Sequence, residues 1–133
     1  MAKTAQQKKD SAKDARLKKF FRVSLEEYRA IEKHQVDCGL GLLLGTTRRA
    51  LDHSHKTGLV RGVLDWRINR ALGWIEDMFG WQTSEVLNML ANYYDDPPAT
   101  ELLGAPRYGI IGRAKNKKKM VYGSSAGEKE WPI

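Results

Sequence analysis

Asp52, His53, His55 and Asn69 carry groups that together suit phosphodiester chemistry. Asp52 and Asn69 offer the hard oxygen donors that Mg²⁺ takes, and this cation commonly binds one or two protein groups while keeping water and phosphate oxygens. His53 supplies an imidazole able to take a proton from water. A metal clamp on a phosphate and a base on the attacking water are together a means of cutting a phosphodiester.

The elements that would position these groups are legible around them. Ala50-Leu51-Asp52 reads as the end of a strand, with His53 and His55 at its exit and a tight turn at Lys56-Thr57-Gly58. Gly58 supplies the left-handed backbone such a turn needs. A second apolar run, Leu59-Val60 then Val63-Leu64, returns as the partner strand, and a helix opening near Asp65 carries Asn69. Two histidines two residues apart also occur in plain surface turns, so the glycine turn and the downstream asparagine matter as much as the pair.

The run D-H-x-H-K-T-G-x-V-R-G-x-L over residues 52–64, followed by N-R-A-L-G over 69–73, resembles the core of the phage recombination endonuclease VII family, a branch of the HNH or His-Me finger nucleases. The match is dense over Leu51 to Gly73 and looser from about Tyr28 to Thr100. The resemblance implies an α+β fold with a ββα-metal (His-Me finger) core and additional helices. It also implies a homodimer that acts on branched DNA such as four-way (Holliday) junctions, with Mg²⁺ or Mn²⁺ as cofactor. By position, Asp52 and Asn69 correspond to the metal ligands, His53 to the general base and His55 to a second active-site histidine. Arg48, Arg49, Lys56, Arg61, Arg67, Arg70, Lys115, Lys117, Lys118 and Lys119 are the cations expected to hold DNA phosphates. Two rival expectations are an HNH nicking or homing-type nuclease on duplex DNA, and an inactive DNA-binding or virion-associated protein of the same fold.

The chain departs from the family at its zinc site. Many relatives bind a structural zinc through two C-x-x-C pairs, whereas here the pairs read Cys38-Gly-Leu-Gly41 and Asp65-Trp-Arg-Ile68. One thiolate and one carboxylate do not make a tetrahedral structural site, so no structural zinc is expected. Leu40, Leu42, Leu43, Leu44, Trp66 and Ile68 are expected to fill that volume, with Cys38 as a small buried hydrophobe.

Charge divides the 133 residues more sharply than the net +7 suggests. Residues 1–22 carry +6, residues 23–106 carry −4, residues 107–119 carry +6 and residues 120–133 carry −1. The expected organisation is a basic arm over 1–22, a nuclease domain with flanking helices over 23–98, and a basic extension over 99–133. Residues 1–19 have too little apolar surface to order alone, so a flexible arm, or a helix formed on DNA, is expected. Both ends suit phosphate binding, with solvated tails as the plainer alternative.

Ser24-Leu-Glu-Glu27 is a capping-box pattern that opens a helix running to about Lys33. Past Asn69, the positions Ala71, Leu72, Ile75, Met78 and Phe79 suggest a buried helix face, and Trp74 and Trp81 are expected to pack rather than stack on bases. Gly80 is a plausible terminus. Thr83 or Ser84 then caps a helix over Glu85 to Tyr94 whose apolar stripe suits core packing or a dimer seam, and Asp95-Asp96-Pro97-Pro98 stops it. The single cysteine excludes an internal disulfide, and the sequence has neither an apolar run of membrane-spanning length nor a signal-like start. The expectation is a protein of the infected bacterial host's cytoplasm, with DNA as its partner and no membrane.

Overall fold

The computed structural model describes residues 1–110, together with the main chain of 121–122 and 129–130. Two compact units divide the chain, residues 1–83 and residues 84–133. Both consist of helices and a two-stranded antiparallel sheet, so the class is α+β.

The first unit opens with α1 (Ala5–Phe21) and α2 (Leu25–Asp37). Each starts with a capping box, Thr4 with Gln7 and Ser24 with Glu27, in which the hydroxyl accepts the N3 amide N–H and the N3 side chain accepts the cap N–H. Residues 1–19 are expected as a flexible arm or a helix formed on DNA, and most of them lie in α1. They form a helix in the protein alone, because one large residue of that polar stretch, Leu17, is buried against the core and Phe21 packs beside it. Asp14 fixes the join by accepting the Leu25 amide N–H.

A short 3₁₀ turn, Gly41–Leu44, leads to β1 (Arg49–His53) and β2 (Val60–Asp65), which pair antiparallel, and α3 (Trp66–Phe79) follows directly. The turn between the strands depends on Gly58 at φ 78°. The core is Leu17, Leu25, Tyr28, Leu44, Leu51 and Val63. Gln35 of α2 ties helix to sheet: its side-chain amide donates to the Val63 carbonyl at 2.8 Å and its oxygen accepts the Val63 N–H at 2.7 Å. Gly62 permits this approach, since a Cβ there would lie 2.8 Å from the Gln35 amide oxygen.

Several burial expectations need correction. Of the six residues expected to replace the zinc, only Leu44 is buried (2% exposed); Leu40, Leu42 and Leu43 face solvent and Trp66 and Ile68 are half-buried. A 3₁₀ turn points few of its consecutive side chains inward, and only one leucine here reaches the core. Cys38 is also exposed, at the end of α2, where its thiol donates to the His34 carbonyl. On α3 no residue is fully buried: Leu72 and Ile75 are partly covered, while Ala71, Met78 and Phe79 are exposed. Trp74 and Trp81, expected to pack, are 63% and 86% exposed.

The second unit contains most of α4 (Thr83–Asp95), α5 (Pro98–Leu103) and a two-residue antiparallel pairing of β3 (Val121–Tyr122) with β4 (Lys129–Glu130). The Asp95-to-Pro98 sequence ends one helix and opens the next with proline in its first turn. Among the described residues no helix is long and apolar enough to cross a membrane.

Candidate active site

The hairpin is not a regular ladder where the chemistry lies. Asp52 pairs with Gly62 and His53 with Val60, so Arg61 is the extra residue of a bulge. In an unbroken ladder Arg61 would oppose His53 and point to the face opposite Asp52; a bulge re-aims the side chain. Arg61 accordingly forks onto Asp52, donating from Nε to Oδ2 at 2.7 Å and from Nη2 to Oδ1 at 2.9 Å. The same guanidinium donates to both carboxylate oxygens of Glu76 on α3, each at 2.8 Å. Strand β1, the bulge and α3 are thereby tied through one cation. The hydrogen bonds from Arg61, with a smaller contribution from nearby His55, hold the Glu76 carboxyl below its ordinary range. Glu76 and Asp52 in turn raise the Arg61 pKa further, so the guanidinium stays charged.

His53, half-buried, has two rings near its own. Phe21 of α1 lies 5.0 Å from it and His55 lies 5.1 Å away, both tilted. His55 is exposed and borders a cleft of about 250 Å³ with Ser54, Lys56, Glu76, Asp77 and Trp81. The two histidines and Asp52 are therefore brought to one end of the hairpin. Asn69, half-buried on α3, precedes Glu76 by seven residues, two helical turns, and so shares the face from which Glu76 reaches the hairpin.

Whether a Mg²⁺ suits this group depends on Asp52. Its carboxylate is buried (6% exposed), and both oxygens already accept from Arg61. A carboxylate offers about four lone-pair sites, so two remain. A carboxylate and an amide oxygen are donors of the right hardness and number for Mg²⁺. The donor set fits, with Arg61 as a competing cation. No group of three or more His, Cys, Asp or Glu placed for a metal occurs among the described residues.

The cations expected on DNA are differently engaged. Arg49 pairs with Glu32 and donates to the Leu44 carbonyl, and Arg67 pairs with Asp65. Arg48 lies over the Trp66 ring at 5.3 Å and Arg70 over Trp74 at 5.7 Å. Lys56 lines the cleft beside His55. Lys115, Lys117, Lys118 and Lys119 lie outside the described residues.

Glu76 and Phe21 were not picked out from the sequence. The i, i+7 spacing from Asn69 was a signal for Glu76; nothing local marked Phe21, which meets His53 only through the tertiary fold. Asp65, at a position expected for a zinc-binding cysteine, instead caps α3, with its oxygens accepting from the Arg67 main-chain and side-chain N–H groups. Those bonds, the side-chain ones foremost, hold its carboxyl below its ordinary value.

A strand–turn–strand–helix unit with Asp-His-x-His at its bulge defines a hairpin-based histidine site. The recombination endonuclease VII family matches residues 14–95, and the chain belongs to that family. It is 34% identical over 95 residues to the Gene 59 protein of Mycobacterium phage D29, covering 68% of this chain and 54% of that protein. It is 38% identical over 58 residues to the Gene 59 protein of Mycobacterium phage L5, covering 43% and 32%. The chain thus spans about half the length of the first relative and a third of the second. No solved structure matches it.

Proposed function

We propose that this protein is a metal-dependent DNA endonuclease that hydrolyses phosphodiesters, with branched DNA as its preferred substrate. The observation that carries the reading is Asp52, His53 and His55 gathered at a bulged hairpin, with Asn69 and Glu76 on the helix packed against it, in a chain of the recombination endonuclease VII family. Asp52 and Asn69 would hold Mg²⁺ or Mn²⁺, which when bound supplies positive charge to the scissile phosphate and to the leaving oxygen. His53 takes the proton of the attacking water. Phe21 and His55 both lie against its ring and cover part of it. His55, exposed at the cleft, supports the site or contacts the phosphate. Arg61 fixes the Asp52 carboxylate through both oxygens and is the cation a metal would have to compete with there. Lys56, Arg48 and Arg70 are the cations best placed to meet neighbouring phosphates, because none of them is in an ion pair with a described residue.

Symmetric cleavage of a junction needs two active sites, so this reading includes a homodimer. A second reading, a DNA-binding protein of the same fold without catalysis, is favoured by the Arg61 fork on the Asp52 carboxylate. The deciding experiment compares cleavage of a four-way junction and a linear duplex, with Mg²⁺ and with chelator. Metal-dependent cutting of the junction in preference to the duplex is expected; no cutting of either supports the second reading.

A further inference from the structure

Helix α1 separates its charges by face. Asp10 pairs with Arg29 and Asp14 accepts the Leu25 N–H, so the acids turn toward α2. Lys9, Lys13 and Arg16, at i, i+4 and i+7, share another face. They line a groove of about 760 Å³, closed on its other side by Arg48 and Arg49 at the start of β1, and no acidic residue lines it. Lys9 and Arg16 are exposed and form no ion pair with another described residue, while Lys13 lies 4.1 Å over the Tyr28 ring in the groove wall. The groove is also aromatic. Phe20, 64% exposed, and Phe21 border it, and Phe21 is the ring that touches His53.

Cations along a groove with aromatic faces for bases are the usual means of holding a single nucleic-acid strand. A duplex keeps its base faces stacked and offers none to Phe20. The volume is that of a cleft for one compact ligand, ~300–1,000 Å³, which suits a short length of one strand. We infer that the groove between α1 and β1 binds an unpaired DNA strand and leads it to His53. Resting on the nuclease reading, this makes the substrate DNA with a single-stranded segment beside the cut. Phe20 then stacks on a base while Lys9, Lys13 and Arg16 meet successive phosphates.

The test is equilibrium binding by the full chain in chelator, so that loss of cleavage does not enter. The probes are a labelled oligothymidylate on the order of 15 nucleotides and a duplex of equal length, followed by anisotropy across a salt series. Phe20→Ala is expected to weaken the single strand about 5- to 150-fold, the usual cost of one lost base stack, and to leave the duplex within about 2-fold. Lys9→Gln with Arg16→Gln should lower the single-strand salt slope by about 1.4, from ~0.7 per phosphate contact. Lys33→Gln, a cation of α2 outside the groove, should change neither. Equal losses on both probes, or none with the fold intact by circular dichroism, would overturn the inference. Retained single-strand binding by a chain that cuts nothing would instead sink the nuclease reading and leave the groove standing.

Discussion

Arg61→Ala is the sharpest perturbation of the fold that also reaches the site. The guanidinium makes four hydrogen bonds, two to buried Asp52 and two to Glu76. Stranding a fully buried charge by removing its partner typically costs about 3–5 kcal/mol, whereas an exposed pair contributes about 0–1 kcal/mol. Here Asp52 is 8% exposed at its side chain, Arg61 32% and Glu76 28%. The Asp52 half therefore lies toward the lower end of the buried range and the Glu76 half near the surface value, for a loss of about 2–4 kcal/mol. In urea, with a slope of about 1–3 kcal/mol/M, the midpoint should fall by on the order of 1–2 M. The pH dependence adds a second check. Glu76 has a folded-state pKa lowered below 4.5, so its contribution is present above that value and lost as pH falls through the folded pKa. The gap between wild type and Arg61→Ala should accordingly narrow on acidification below about pH 4.5. A loss under about 0.5 kcal/mol at neutral pH, or a gap that stays constant into acid, would refute the argument that this cation ties β1 to α3.

His53→Ala should lower cleavage about 10²- to 10⁴-fold while leaving DNA affinity nearly unchanged; full activity would remove His53 as the base. If Asp52 is a metal ligand, Arg61→Ala should raise Mn²⁺ affinity, measured by electron paramagnetic resonance, even as it destabilises the fold, and unchanged affinity would speak against Asp52 as a ligand. Gln35→Leu leaves the Val63 N–H and C=O without partners and should cost about 2–4 kcal/mol in urea unfolding; a neutral result would mean that water replaces the amide. Elemental analysis should find no stoichiometric zinc in purified protein, and one zinc per chain lost in Cys38→Ser would overturn that expectation.

What the sequence disclosed was local. The Ser24 box, the Gly58 turn and the Asp95-to-Pro98 stop are each decided by a few adjacent residues, and each was legible. The two strands followed from the same turn signals, with β1 running one residue further, through His53. Leu17 was hidden because composition averages over a segment, and a single leucine in a largely polar stretch is enough to dock a helix when Leu25 and Tyr28 are waiting for it. Periodicity places residues of α3 on one face but says nothing about what covers that face, which is why Trp74 and Met78 are exposed where packing is expected. At the site, the residue types around Asp52 were visible. The bulge that turns Arg61 onto that carboxylate was not, since a one-residue slip in pairing leaves no trace in composition.

The Gln35 bridge has a consequence for how this sheet meets other chains. A two-stranded sheet has two open sides, each a template onto which a foreign strand can hydrogen-bond. On the outer side of β2, the Gln35 amide occupies the Val63 N–H and C=O in the way a neighbouring peptide would. One side chain thus impersonates a third strand, and any strand arriving at that position must first evict it. Among the described residues the outer side of β1 has no such stopper; at Ala50 and Leu51 it borders the groove beneath α1. Extension of this sheet by another β-segment is therefore polarised toward β1, and a segment that succeeded there would fill the groove rather than cap the hairpin's far side.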